Sequence, residues 1–250
     1  MKIIGKAAKT SFYYKKDLKD FPYWDLTYKV KCNSTENELN NYLKRIKFKF
    51  DRPIAIIAKE QFSGIGQYGR EWSSPPGGIW LSAAYPIFNN KFLPEIFPMS
   101  IANQLCEMFL EQSIKVDLKW PNDIFLGSRK IIGFLPKVIT RGSEILYVRV
   151  GIGLNLNNKT PQEGISLSEA IKRKNLCEYQ WTSRILKVIC NAVNCNSSKM
   201  EVIKKANKFL NKKYLPKGYD SLTWSIKHID WSGNLIMVDK KNQKKYLFFN

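Results

Sequence analysis

Short β-branched runs alternate along the chain with stretches whose apolar residues recur every three or four positions. Residues 1–33 read as strands and loops, with an in–out alternation in YWDLTYKVKC. NSTENELNNYLKRI follows as a helix. Leu39, Leu43 and Ile46 share one face, and Thr35 with Glu38 forms a T-x-x-E capping box. PIAIIAKEQ and GGIWLSAAYP read as strands on either side of a glycine-rich loop. PEIFPMSIANQLCEMFLEQ is a helix that turns Ile101, Leu105, Met108 and Phe109 inward. VDLKWPND is a strand, and DIFLGSRKIIGFLPKVI is a hairpin turning near Gly127–Ser128. EILYVRVGIGLNLN is a strand that ends in glycines, and helices are expected around Ser183–Ala192 and Ser198–Leu210. The tail from Ser221 alternates again, with a turn at Ser232–Gly233, and forms a small β unit after Pro216. Strands and helices do not follow a βαβ rhythm, so the class is α+β, with a mixed sheet flanked by helices. The expected division is a main domain over 1–215 and a small β domain over 216–250.

The 250 residues are enough for one sizeable domain with a small appendage. The longest apolar runs, Ile54–Ala58 and Ile79–Tyr85, fall far short of the roughly 18 residues of a membrane helix. The N-terminus lacks the apolar stretch of a secretory signal. A cytoplasmic protein without a membrane partner is expected. Five cysteines with no CxxC pair argue against a disulfide framework or a structural zinc, and for buried free thiols. The single histidine, His228, is remote in sequence from every glycine-rich segment, which argues against a histidine base and excludes a His-rich metal site.

The net charge of +20 changes the picture less than its size suggests. Lysines outnumber arginines 33 to 8 and there are 20 asparagines, a balance that an A-rich codon usage produces without any ligand. The lysines are also dispersed, so a nucleic-acid surface and plain solubility both stay open.

Chemistry concentrates in three segments. KEQFSGIGQYGREWSSPPGGIWLSAAY carries Gly64, Gly66 and Gly69, whose freedom lets backbone N–H groups approach a ligand. The G-x-G-x-x-G spacing is followed by SSPP, not by a helix, and lacks the GK[ST] ending of a P-loop, so neither nucleotide fingerprint applies. A flexible surface loop is the plain alternative. LKWPNDIFLGSRKIIGFLPKV gathers Lys119, Asn122, Asp123 and Lys130 on one strand–turn–strand, where two cations and a carboxylate suit a polyphosphate and its metal ion. A solvated hairpin is the plain alternative there. GIGLNLN ends a strand with Gly151, Gly153 and Asn155, and small residues for packing would explain it equally.

Together, in order and separation, these segments resemble the biotin protein ligases. NST at 33–35 resembles that family's biotin-loop start. Gly64 through Trp72, followed by Ser74 and Pro75, resembles its GRGRxGRxW-x-SP loop. KWPND at 119–123, the K-x-x-G-x-L of Lys130–Leu135, and GIGLN at 151–155 match closely. The resemblance covers residues 30–160 in detail. It implies a class II synthetase-like catalytic domain with an SH3-like cap. It also implies a two-step reaction, in which biotin and ATP give biotinyl-AMP and a carrier lysine then takes the biotin. The substrates would be biotin and ATP with Mg²⁺, without a prosthetic group. The partner would be the biotin carboxyl carrier protein of acetyl-CoA carboxylase.

The resemblance implies the following roles. Ser34, Thr35 and Gln61 meet biotin's ureido head. Gly64, Ile65, Gly66, Gly133, Leu135 and Gly151 line its body. Lys130 lies between the carboxylate and the α-phosphate. Arg70 meets negative charge, and Trp72 covers the adenine. Lys119, Asn122, Asp123 and Asn155 serve the nucleotide, with Asp123 a candidate Mg²⁺ ligand. Lys130, Arg70 and Asp123 form the expected catalytic set. The loop departs from the family pattern at Ile65 and Gln67, where arginines are usual, so weaker retention of the adenylate is expected. With NST at 33, no room is expected ahead of it for a winged helix-turn-helix, hence ligase activity without operator binding. A lipoate or octanoate ligase or transferase is the nearest rival, although its R-R-x-x-G-G-G-x-V-x-H-like segment is missing. A basic nucleic-acid-binding module is the rival from another class. Monomer and homodimer both remain open.

Overall fold

The computed structural model describes residues 6–17, 22–88, 92–241 and 243–248. Its elements, in chain order, are α1 (Lys6–Asp17), β1 (Asp25–Lys29), α2 (Thr35–Arg45), β2 (Ile54–Ala58), β3 (Gln61–Ile65), β4 (Glu71–Ser74) and β5 (Ile79–Pro86). There follow α3 (Phe97–Leu110), β6 (Asp117–Lys119), β7 (Asp123–Leu126), β8 (Arg129–Arg141) and β9 (Glu144–Leu154). The chain ends in α4 (Leu167–Ala170), α5 (Glu178–Val193), α6 (Lys199–Phe209), β10 (Trp224–Ile229), β11 (Leu235–Asp239) and β12 (Lys244–Leu247).

Seven strands form one sheet in the order β1-β2-β5-β9-β8-β7-β6. Only β1 and β2 run parallel; the other neighbours are antiparallel. The sheet is therefore mixed, and the α+β expectation holds. Strand alternation splits its side chains between two faces. From β9, Val148, Val150, Ile152 and Leu154 join the main core under α3 and α5, together with Ile79, Leu81 and Ala83 of β5. The opposite face receives Trp80, Ser82, Gly151 and Gly153, and it is less completely covered.

On that second face α2 docks through Leu39 and Leu43, which pack on Ile54, Ile56, Ala84 and Tyr147. This contact fixes where the N-terminus of α2 points, and hence the position of Ser34 and Thr35. Leu39 is fully buried. Leu39→Ala is expected to cost about 2–5 kcal/mol, read as a lower urea midpoint with unchanged slope.

The structure differs from the sequence reading in three local features. Lys6–Asp17 is a helix, not strand or loop. Its FYY run favours strands, but Thr10 and Tyr14 are buried, and Tyr14 Oη accepts from Trp24 Nε1 at 3.1 Å, so tertiary packing overrides propensity. The N-cap of α2 is Ser34, whose Oγ accepts from Glu36 N at 3.2 Å, and not Thr35. Glu38 is instead paired with Lys29 at 3.1 Å. The glycine segment is a β3–β4 hairpin around a short 3-10 turn at Gln67–Gly69, not an irregular loop.

The C-terminal strands β10, β11 and β12 form a separate three-stranded antiparallel sheet. Its Ile226, Ile229, Leu235 and Met237 belong to the same core as α3 and α6. Trp120 Nε1 donates to Gly233 O at 3.0 Å and ties this sheet to the KWPND turn. All five cysteines are free. Cys32, Cys106 and Cys190 are buried as expected, whereas Cys177 and Cys195 are half-exposed. Burial pushes the Cys190 thiol up to about 11, which suits a packing role. No described helix is long and apolar enough to cross a membrane.

Candidate active site

Between α2 and the β3–β4 hairpin the second face of the sheet forms a cleft, and strand register sets its floor. Ser82 pairs with Gly151, and Gly151 with Leu135. One step along, Trp80 pairs with Gly153, Gly153 with Gly133, and Gly133 with Asp123. Three glycines on adjacent strands leave a trough that side chains would fill. A β-carbon on Gly153 would stand 2.4 Å from Trp72 Nε1, and one on Gly133 would stand 2.8 Å from the same indole. The inner cavity is about 140 Å³, and it opens past Glu36, Gly66 and Gln67 into an outer cavity of about 600 Å³.

One end of the cleft is a chain of neutral polar groups. Thr35 Oγ1 and Ser82 Oγ share a hydrogen bond of 2.9 Å. Thr35 donates from N and from Oγ1 to Gln61 Oε1, at 2.7 and 2.9 Å. Gln61 Nε2 donates to Ser74 Oγ at 2.7 Å, and Ser74 donates to Trp72 O at 2.9 Å. Gln61 thus spends its carbonyl on α2 and holds helix and hairpin together.

The other end is ionic. Lys130 Nζ lies 2.6 Å from Asp123 Oδ1 and 4.6 Å from the centre of the Trp72 ring. Gly127, at φ 61°, makes the tight turn that brings β8 back over β7. Lys130's backbone is then clamped by Glu163 O, which accepts from its N–H at 2.8 Å, and by Ile165 N, which donates to its carbonyl at 3.0 Å. The cation is held by its main chain, its carboxylate partner and the indole face.

Most residues singled out from the sequence converge here. Ser34, Thr35, Gln61, Ile65 and Gly66 line the cleft, with Arg70, Trp72, Asn122 and Asp123. Lys130, Gly133, Leu135 and Gly151 complete the wall and floor. Three others lie outside the lining. Gly64 is buried inside the hairpin, where a β-carbon would stand 2.3 Å from Trp72 O. Lys119 points its ammonium at the Phe125 ring, 5.1 Å from its centre. Asn155 is buried behind Lys130, its Nδ2 3.4 Å from Lys130 O while its Oδ1 accepts from Asn158. Asn122 lines the cleft, yet its Nδ2 already donates to Phe134 O at 2.9 Å. Arg70 is exposed and its Nε donates to Gln67 O at 3.1 Å. His228 sits exposed on β10 and does not line the cleft.

Sequence reasoning missed Ser82 and the Glu36–Arg149 pair. Ser82 sits in a wholly buried strand, where the alternation of faces was its only signal. Arg149 Nη2 donates to Glu36 Oε2 at 2.9 Å and to Glu36 O at 3.1 Å, across 113 positions of sequence. Three buried polar atoms around these cavities, Glu36 Oε1, Trp72 Nε1 and Arg149 Nε, have no hydrogen-bond partner. Among the described residues no group of three or more His, Cys, Asp or Glu is placed to hold a metal ion.

The cleft thus has a sheet floor, a neutral relay at one end and a lysine at the other. The Biotin/lipoate A/B protein ligase family matches residues 29–155, just over half of the chain, and the chain belongs to that family. Over 128 residues, 48% of this chain, it is 30% identical to the bifunctional ligase/repressor BirA of Bacillus subtilis. Over 112 residues it is 31% identical to the biotin–[acetyl-CoA-carboxylase] ligase of Paracoccus denitrificans, covering 40% of this chain. These matches span 39% and 43% of the two relatives' lengths. The fold extends further. A biotin protein ligase from Aquifex aeolicus, solved with biotin and ATP, superposes with a TM-score of 0.68, covering 90% of this chain and 96% of that one at 21% identity.

Proposed function

We propose that the protein is an ATP-dependent biotin–protein ligase. Residues 1–215 form the catalytic unit and 216–250 its cap, and the enzyme works in the cytoplasm on a biotin carboxyl carrier domain, such as that of acetyl-CoA carboxylase. The observation that carries this reading is the convergence of Lys130 with the glycine floor and the Thr35–Gln61 relay in one cleft. An apolar ring system with a polar head and a carboxylate tail fits such a site.

In the first step a biotin carboxylate oxygen bonds to the α-phosphorus of MgATP, and the bond to the pyrophosphate leaving group breaks. Two anions must meet, so the fixed Lys130 ammonium stabilises charge as it develops. Lys130 exchanges its Asp123 partner for these oxygens. In the second step the uncharged amine of the carrier lysine attacks the anhydride carbonyl. The amide forms, AMP departs and a proton is lost, with Asp123 beside Lys130 to receive the incoming amine. The β3–β4 hairpin keeps water from the anhydride, and Arg70 meets phosphate charge at its turn.

Gln67 lines both cavities and stands where the family pattern has arginine. Gln67→Arg adds a charge-assisted bond to the adenylate and is expected to slow its dissociation roughly tenfold, measured by single-turnover release. An unchanged rate would show that this turn does not hold the phosphate.

Incubation with ATP, biotin and a carrier domain tests the whole reading. A mass gain of one biotin on the carrier lysine is expected, and none with lipoate. Lipoyl transfer would favour the lipoate branch of the family. Salt-sensitive oligonucleotide binding without any transfer would favour a nucleic-acid module.

A further inference from the structure

The polar end of the cleft holds a feature that the ligase scheme leaves unused. Glu36 follows the N-cap of α2, and its carboxylate lies over Gly151, where a β-carbon would stand 3.1 Å from Oε1. Arg149 binds the other oxygen, Oε2, at 2.9 Å and anchors the side chain from β9. Both side chains are largely buried, at 13% and 12% exposure. Oε1 is buried and has no partner. A buried carboxylate oxygen left without a donor is unfavourable in the empty protein and favours any ligand that brings one. Its neighbours are already occupied. Gln61 Oε1 accepts two bonds from Thr35, and Ser34 Oγ accepts from Glu36 N.

We propose that Glu36 is a specificity-determining residue: its free Oε1 accepts a hydrogen bond from a ring N–H of the ligand's head group. The cleft thereby selects a cyclic urea over a ring that carries no donor, such as a dithiolane. This deepens the biotin reading and rests on it. Gly151 contributes by having no side chain, since a β-carbon there would crowd Oε1 at 3.1 Å. Arg149 contributes by fixing which oxygen is free. In Glu36→Gln the guanidinium keeps the amide oxygen, so the amide NH₂ turns to the cleft and a donor meets a donor.

Isothermal titration of the full chain with biotin and with lipoate, for the wild type, Glu36→Gln and Glu36→Asp, tests the proposal. Wild type is expected to bind biotin well and lipoate weakly. Glu36→Gln is expected to lose at least tenfold in biotin affinity with lipoate affinity unchanged, so the preference between them narrows. Glu36→Asp keeps the charge, draws the oxygen back from Gly151, and is expected to fall between the two. It also supplies the answer if Glu36→Gln fails to fold, as judged by its melting curve. Equal loss for both ligands would make Glu36 merely structural and overturn the proposal, as would biotin affinity unchanged in both variants. Wild type that fails to bind biotin at all would sink the ligase reading and this inference with it. Wild type that binds biotin with indifferent variants would sink only the inference.

Discussion

Replacing Lys130 with alanine is expected to slow biotinyl-adenylate formation about 100- to 1,000-fold while the protein stays folded. The ammonium is positioned from three sides. Asp123 lies at 2.6 Å, the Trp72 ring centre at 4.6 Å, and the main chain is bonded to Glu163 and Ile165. A group held this way needs little reorganisation when two anions arrive, and that is where the rate advantage of a preorganised charge lies. The change leaves Asp123 without its cation at a half-buried position, so some stability is also lost. Single-turnover adenylation at saturating biotin and ATP separates the two effects, because a stability loss alone leaves the rate of the folded fraction intact. A rate within a few-fold of wild type would mean that Lys130 has no part in the first step.

Gly64→Val is expected to weaken biotin binding by about 10- to 100-fold, through the hairpin and not through direct contact. A β-carbon at Gly64 would stand 2.3 Å from Trp72 O, 2.7 Å from Ser74 Oγ and 3.0 Å from Gln61 Nε2. Two of these atoms belong to the relay that joins α2 to the hairpin, and the third is backbone and cannot swing aside. Relief requires the β3–β4 pairing to open. Overpacking of this kind costs about 1–3 kcal/mol, which sets the size of the expected loss. Equilibrium dialysis with labelled biotin measures it, and proteolysis within the 61–74 hairpin should rise in parallel. Normal biotin affinity would show that the hairpin is not part of the binding site.

The site was legible where sequence spacing and strand register coincide. Lys130 and Gly133 follow Asp123 within one hairpin; the two-residue turn pairs Phe125 with Lys130, and a bulge beyond that pair brings Gly133 opposite Asp123. Gly151 and Gly153 alternate on one strand, so both had to face the same side. The parts that escaped notice depend on tertiary placement. No local pattern joins Glu36 to Arg149, because the partners come from a helix and a strand that meet only once the sheet is assembled. Ser82 is a small residue between Leu81 and Ala83 in a buried strand, and it gains meaning only when Thr35 arrives over it. The Lys6–Asp17 helix is aromatic and lysine-rich with a weak apolar stripe, and its helicity owes more to docking against α5 than to its own sequence. Lys119 and Asn155 were placed by motif position, but a side chain's direction is set by its neighbours. Phe125 and Asn158 draw these two away from the cleft.

Crystals grown with biotin and a non-hydrolysable ATP analogue address the central claim most directly. The biotin carboxylate and the α-phosphate are expected within hydrogen-bonding distance of Lys130 Nζ, with the biotin ring over Gly151 and beneath the 61–74 hairpin. Biotin bound elsewhere on the chain, or a nucleotide bound on the other side of the sheet from Lys130, would contradict it.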